Sequence, residues 1–183
     1  MAVDLSAVTI RAERAGEAAA VAQSGARAFG QELIATLIDA LKASPDYIPG
    51  LSFVAEYEGQ LAGHVMYTRS LLDAASKLVD VLVLSPVSVV PELQGQGIGS
   101  LMIRQTLELM RARPEPLVFL EGNPAYYGRF GFEAAEQFGF RKPSLRIPDA
   151  AFQVLKLPTY EDWMTGTLVY SRVFWDLDCV GLR

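Results

Sequence analysis

Residues 91–103 read "PELQGQGIGSLMI", and this stretch decides how the rest of the chain is read. Gly95, Gly97 and Gly99 alternate with Gln96 and Ile98, after an apolar run and just ahead of helical periodicity. Glycine is a poor residue with which to nucleate a helix, because it loses the most backbone freedom on ordering. A ligand explains its presence. The first turn of a helix leaves backbone N–H groups unpaired and carries partial positive charge. Glycines there let the backbone approach a ligand closely and take φ > 0, which makes an anion site suited to a pyrophosphate. A tight strand-to-helix turn alone needs fewer glycines.

Reading outward, the run before the loop, "LVDVLVLSPVSVV", is nearly continuous Val and Leu, which predicts a strand buried on both faces. Pro86 lies within it and cannot donate to a ladder, so a bulge or a local parting of strands is expected there. Upstream, "LSFVAEYEGQLAGHVMYTRSLL" gives two strands around a hairpin at Glu58-Gly59-Gln60, with a second turn near "DAASK". Residues 7–13 form a short opening strand and 15–28 a helix broken by Gly30. Residues 31–43 form a second helix, with Leu33, Leu37 and Leu41 on one face beside Ile34 and Ile38. Downstream, residues 97–112 form a helix whose C-terminal dipole suits Arg111 and Arg113 and which Pro114 and Pro116 stop. "LVFLE" is a strand, "PAYYGRFGF" a short helical turn ending at Gly131, and "FQVLKL" and "TGTLVYS" are further β runs. The expected fold class is mixed α/β, with a mainly antiparallel central sheet flanked by helices, in a single domain over residues 1–183.

The bulk numbers narrow the function. The chain has 183 residues, 51% hydrophobic and 20% charged, enough for one full core. Its net charge of −5, from 16 basic and 21 acidic residues, argues against nucleic-acid binding and leans toward an amine-bearing partner. With the single cysteine Cys179 no internal disulfide can form, which points to a reducing, cytoplasmic setting. The N-terminus lacks the pattern of a secretory signal, and no apolar run approaches the roughly 18 residues of a membrane span. The β-rich C-terminal segment offers strand edges that could pair in a homodimer. One histidine, His64, and one cysteine give no metal-ligand spacing.

Three phosphate-loop patterns compete for residues 94–100. The P-loop needs a lysine after its last glycine, and Ser100 follows Gly99. The dinucleotide fingerprint needs G-x-G-x-x-G in a βαβ unit; here the glycine spacing differs and the strands arrive by hairpins. The third pattern, Gln/Arg-x-x-Gly-x-Gly/Ala, is met by Gln94-Gly95-Gln96-Gly97-Ile98-Gly99 without a gap. This resembles the pyrophosphate loop of the GNAT superfamily of acyl-CoA-dependent N-acetyltransferases. The run Tyr127-Gly128-Arg129-Phe130-Gly131-Phe132 is similar to that family's Tyr-x-x-x-Gly-Phe segment. The doubled tyrosine and "GTLVYS" look most like its YhbS-type branch. The resemblance covers nearly the whole chain.

The resemblance implies acetyl-CoA as co-substrate and direct attack by a primary amine of a small-molecule or peptide acceptor. It implies that the backbone of Val87 and Val89 pairs with the pantetheine arm, a backbone N–H there polarising the thioester. It implies that backbone N–H groups of Gln94, Gly95, Gln96, Gly97, Ile98, Gly99 and Ser100 hold the pyrophosphate. Asn123 stands as a pantetheine contact, although it lies only four residues before Tyr127 and precedes a proline. Tyr127 takes the role of acid: a phenol of pKa about 10 stays protonated at neutral pH and gives its proton downhill to a thiolate of conjugate pKa about 8.5. Tyr126 reads as a packing residue or part of the acceptor wall. Glu121, closing the "LVFLE" strand, is a candidate base, directly or through a water; a solvated carboxylate or a salt bridge is the plain alternative. Glu56 is a poorer candidate. His64, after Gly63 in a strand, reads as a hydrogen-bonded structural residue or an acceptor-site group. Ser88 faces either the cleft or solvent. A non-catalytic acyl-CoA-binding module is the alternative from another functional class.

Overall fold

The structure is a computed structural model, describing residues 3–181. Its chain forms two compact units, Met1–Thr68 with Ser85–Leu109 and Arg69–Leu84 with Met110–Arg183.

In the first unit, strand β1 (Thr9–Ala12) pairs antiparallel with β2 (Tyr47–Tyr57), and β2 with β3 (Gln60–Ala74). The β2–β3 turn forms where the hairpin is expected, because Glu58 and Gly59 both take φ > 0, at 50° and 73°, the geometry that follows strand twist. Helix α1 (Ala18–Phe29) ends at Gly30 in the left-handed region, and α2 (Glu32–Ala43) buries Leu37, Ile38 and Leu41. The helices approach closely at Gly25, where a β-carbon would meet Ile38 Cδ1 at 2.6 Å. Val21 and Ala22 of α1, Ile38 of α2 and Val54 of β2 form one apolar cluster, which seats both helices on one face of the sheet. Helix α3 (Ile98–Met110) packs on the other face. There Tyr67 Oη bonds Thr106 Oγ1 at 2.8 Å, and a β-carbon on Gly63 would meet Met102 Cε at 2.8 Å.

In the second unit the later part of β3 pairs with β8 (Gly166–Val169), from Leu71↔Val169 to Ala74↔Gly166. The start of β4 (Leu78–Val89) pairs in parallel with β5 (Leu117–Glu121), which pairs antiparallel with β7 (Phe152–Lys156), and β7 pairs with β6 (Glu133–Ala134). Phe119 stacks on Phe152 at 5.5 Å and meets Phe140 edge-on at 5.3 Å, the aromatic centre of this core. Concatenating the pairings gives the order β1-β2-β3-β4-β5-β7-β6, with β8 also on β3. The fold is therefore mixed α/β with a mostly antiparallel sheet flanked by helices, as the sequence implies.

Of three expectations, one is met and two need adjustment. The strand around Pro86 parts as foreseen: pairing of β4 with β5 is confined to Leu82↔Val118 and Val83↔Phe119, ahead of the cis Ser85–Pro86 peptide. Strand β4 is buried on both faces only at its centre, residues 81–84, while Leu78 and Asp80 are exposed. Helix α3 stops at Met110, so Arg111 and Arg113 lie beyond its last turn. Arg113 instead grips Glu115 with two bonds of 2.7 and 2.8 Å.

Candidate functional site

The glycine loop belongs to the first unit. Residues Pro91–Leu93 make one tight turn, and Gln94 N–H donates to Pro91 O at 3.3 Å. That bond corrects the expected amide set: Gln94 N–H is already engaged, and the candidate anion-facing amides are those of Gly95 to Ser100. Gly95 and Gly97 take φ of 74° and 94°, a conformation that only glycine enters without cost. The first rung of α3 runs from Leu101 N–H to Gly97 O at 3.0 Å. The amides of Ile98, Gly99 and Ser100 precede that rung, as the first turn of any helix requires. The loop's glutamines are fasteners. Gln94 Nε2 donates to Val89 O at 3.0 Å and Ala28 O at 3.2 Å. Gln96 Nε2 donates to Glu92 O at 3.3 Å, and its Oε1 accepts Val3 N–H at 2.8 Å. Leu5 caps the turn, 3.1 Å from where a Gly97 β-carbon would lie. Val87 and Val89 are half-buried on β4, and Ser88 is buried, so its side chain does not reach solvent.

Behind β3 the same unit holds a polar chain that sequence reading does not find. Lys42 Nζ lies 2.5 Å from Glu13 Oε1, Ser52 Oγ 2.5 Å from Glu13 Oε2, and Ser52 Oγ 2.8 Å from His64 Nε2. His64 is fully buried, and burial first, then the Lys42 charge, push its pKa down to about 3. It is a neutral imidazole at ordinary pH, in line with a hydrogen-bonded structural role. Its partners come from β2, α2 and Glu13 just past β1, far apart in sequence, and none carries a local motif. Glu56 is held by Arg11 at 2.8 Å, with Glu17 on the same guanidinium.

The tyrosine segment belongs to the second unit. Helix α4 (Pro124–Tyr127) starts at Asn123, whose Oδ1 accepts Ala125 N–H at 2.9 Å while its main-chain O accepts from Tyr126 and Tyr127, each at 3.0 Å. Asn123 thus serves as the N-cap of this turn, with proline at the first helical position where its missing N–H does no harm. Tyr127 packs edge-on against Tyr126 at 5.0 Å, Phe130 at 6.5 Å and Phe132 at 6.1 Å. Gly122 lies directly beneath the ring: a β-carbon there would come within 2.2 Å of Tyr127 Cε2. Burial and then Tyr126 push the Tyr127 phenol up to about 12, so it stays protonated. Arg129 covers the face of Tyr126 at 4.6 Å.

Glu121 is half-buried, and among the described residues its carboxylate makes hydrogen bonds and no salt bridge. Tyr170 Oη donates to its Oε1 at 2.8 Å, and Gly181 N–H to its Oε2 at 3.1 Å. Burial raises its pKa, opposed by those two bonds and by Arg146. Neither tether is visible in sequence, because both arrive from the C-terminal segment. Cys179 Sγ donates to Leu177 O at 3.5 Å.

Residues 9–135 match the family model described as "Acetyltransferase (GNAT) domain". The chain belongs to the GNAT acetyltransferases. Among its GNAT relatives, the uncharacterized N-acetyltransferase YjhQ of Escherichia coli strain K12 is 37% identical over 107 residues, 58% of this chain and 59% of YjhQ, so that match spans under two thirds of the relative. The uncharacterized N-acetyltransferase YhbS of the same strain is 29% identical over 81% of this chain and 87% of its own. The crystal structure of E. coli YhbS in complex with CoA has a TM-score of 0.80 at 26% identity, covering 91% of each chain. A GNAT acetyltransferase from Brucella melitensis, in complex with acetyl-CoA, has a TM-score of 0.73 at 32% identity, covering 91% of this chain and 97% of its own.

As a GNAT acetyltransferase, the chain carries three chemical resources. The loop offers amides at a helix N-terminus, where an anion is favoured. Tyr127 offers a phenol proton. Glu121 offers a carboxylate of raised pKa. Among the described residues no three His, Cys, Asp or Glu side chains gather as metal ligands, and no helix is long and apolar enough to cross a membrane.

Proposed function

We propose that residues 1–183 act as one N-acetyltransferase domain that moves an acetyl group from acetyl-CoA to a primary amine, in a reducing, cytoplasmic setting. The observation that carries this reading is the loop. Two glycines at φ 74° and 94° deliver the amides of residues 95–100 to the start of α3, and a side chain on Gly97 would strike Leu5. That cradle fits a pyrophosphate. Gln94 takes Val89 O, so a pantetheine arm pairing at Val89 would use its N–H.

In the reaction the neutral amine attacks the thioester carbonyl. A C–N bond forms, the C–S bond breaks, and the amine loses one proton while the departing thiolate gains one. Tyr127 is the donor on this reading, since burial keeps its phenol protonated. Glu121 is the candidate acceptor of the amine proton, since burial raises its pKa and each oxygen keeps a lone pair beyond the bond it accepts.

Calorimetric titration with acetyl-CoA and CoA, against ATP and NAD as controls, tests the loop. Micromolar binding of the CoA compounds alone is expected, and binding of ATP or NAD in their place would defeat the reading. Tyr127→Phe is expected to lower kcat for thiol release about 10²-fold or more while CoA affinity holds. Unchanged kcat would remove Tyr127 from the mechanism.

A further inference from the structure

His64 is the chain's only histidine, and the direction of each proton around it follows from the ends of its hydrogen-bonded chain. Glu13, beside the Lys42 ammonium, can only accept. Ser52 must therefore direct its single hydroxyl proton at Glu13 Oε2. Toward His64 it is then an acceptor, so Nε2 carries the ring proton and Nδ1 is a bare lone pair. That atom is buried, and no group among the described residues bonds to it.

A second orphan lies opposite. Val90 N–H donates to Ala62 O at 2.9 Å, and two residues back along β4 and two forward along β3, in this antiparallel hairpin, Ser88 comes across from His64. Directly opposed residues share a face of the sheet. Ser88 is 4% exposed, and its Oγ likewise has no partner among the described residues. The two backbones run close here, since a β-carbon on Gly63 would meet Ser88 O at 2.7 Å. A buried lone pair and a buried hydroxyl on one face of the sheet, with no bond between them, can be satisfied together by one water.

We propose that His64 Nδ1 and Ser88 Oγ hold a single water molecule behind residues 87–89 of β4, and that the Lys42, Glu13, Ser52 and His64 chain presents the lone pair that binds it. The water donates to Nδ1 and is shared with the Ser88 hydroxyl. His64 is then a positioning residue. It fixes the stretch of β4 flanked by Val87 and Val89, whose backbone the proposed function assigns to the pantetheine arm; the inference rests on that reading for its consequence, not for the water itself. The ring stays a neutral acceptor because burial and Lys42 both oppose its protonation, with Glu13, one hydroxyl away, the opposing charge.

Because the chain has one histidine, nitrogen NMR of the full-length, ¹⁵N-histidine-labelled protein reads the site directly. The Nε2–H tautomer is expected at pH 7, with an Nδ1 resonance displaced from that of a bare ring nitrogen by an accepted hydrogen bond and with magnetisation exchange to water. Ser88→Ala is expected to return Nδ1 toward the bare position and to raise the Kd for acetyl-CoA about three- to tenfold, the loss of one hydrogen bond. Ser88→Thr, which keeps the hydroxyl, should restore both. If Ser88→Ala does not fold, Ser52→Ala serves instead: removing the acceptor of Nε2–H should mix the two tautomers. An Nδ1–H tautomer, an imidazolium, or an Nδ1 unmoved by Ser88→Ala overturns the water site. A displaced Nδ1 with unchanged acetyl-CoA affinity overturns the positioning role. Wild-type protein that binds no acetyl-CoA defeats the acetyltransferase reading alone, because the NMR result stands without it.

Discussion

Protonating His64 would place a cation in a site shielded from bulk solvent and under the charge of Lys42, so the folded chain resists it while the unfolded chain does not. Its folded pKa of about 3 lies below the ordinary 6.5. Between these values the unfolded state binds more protons, so stability falls as pH falls, by up to about 1.4 kcal/mol per pH unit. From pH 7 to 5 this one group should cost about 2 kcal/mol. Glu17, which Arg11 holds down to about 2, adds its own loss only below the usual carboxylate range. Glu121 works in the opposite sense, since a carboxyl with raised pKa is relieved by protonation. Urea unfolding of wild type and His64→Gln at pH 7 and 5 isolates the histidine: the wild type should lose about 2 kcal/mol more than the variant. Equal losses would mean that His64 titrates normally. This residue also marks a limit of sequence reading. Its position after Gly63 was visible, but its partners Ser52, Glu13 and Lys42 are brought to it only by strand register and by the seating of α2.

Elements were legible where local rules and packing agree. The Glu58-Gly59 hairpin, the stop at Gly30 and the turn ending at Gly131 all rest on φ > 0, a requirement that sequence states openly. The end of α3 was misplaced because Arg111 and Arg113 suit a helix C-terminus by charge, whereas Arg113 is drawn to Glu115. Charge near a helix end is worth only about 0.3–1 kcal/mol, too little to hold a turn against a nearby bidentate partner. The glycine loop was legible as a motif, but not the unequal demands on its glycines. At Gly95 a β-carbon meets nothing within 4 Å, whereas at Gly97 it meets Leu5 at 3.1 Å. Both take φ > 0, which costs an alanine about 1–2 kcal/mol. Gly95→Ala should therefore weaken CoA binding about tenfold, and Gly97→Ala should weaken it further. Adding Leu5→Ala to Gly97→Ala should return affinity to the Gly95→Ala level by calorimetry. Equal deficits in the two single variants would show that Leu5 yields freely.

At the scale of the whole molecule, the chemistry is distributed. One unit carries the glycine loop and the buried histidine chain, the other the tyrosine segment and Glu121. Both segments are legible in sequence because each has a local motif, but the sequence does not show how Glu121 is held. Strand β5, Tyr170 beyond β8, and Gly181 near the C-terminus converge on that one carboxylate. Tyr170 is itself buried, and its phenol is pushed well above its usual pKa by burial and by Glu121, so it remains a hydrogen-bond donor throughout the working range. A donor to a carboxylate stabilises the ionised form and lowers its pKa. Removing that donor must raise the pKa of Glu121, which burial has already lifted. If Glu121 accepts the amine proton, Tyr170→Phe should carry the acid limb of the kcat/KM profile to higher pH. It should also lower the unfolding free energy by about 1–3 kcal/mol, because a segment of the second unit loses its tie to β5. Measured together, the two readouts separate the roles of Glu121. A shifted limb with lowered stability supports a base that is also a tether. Lowered stability with an unmoved limb makes Glu121 a tether only, and the amine proton must then leave by another route.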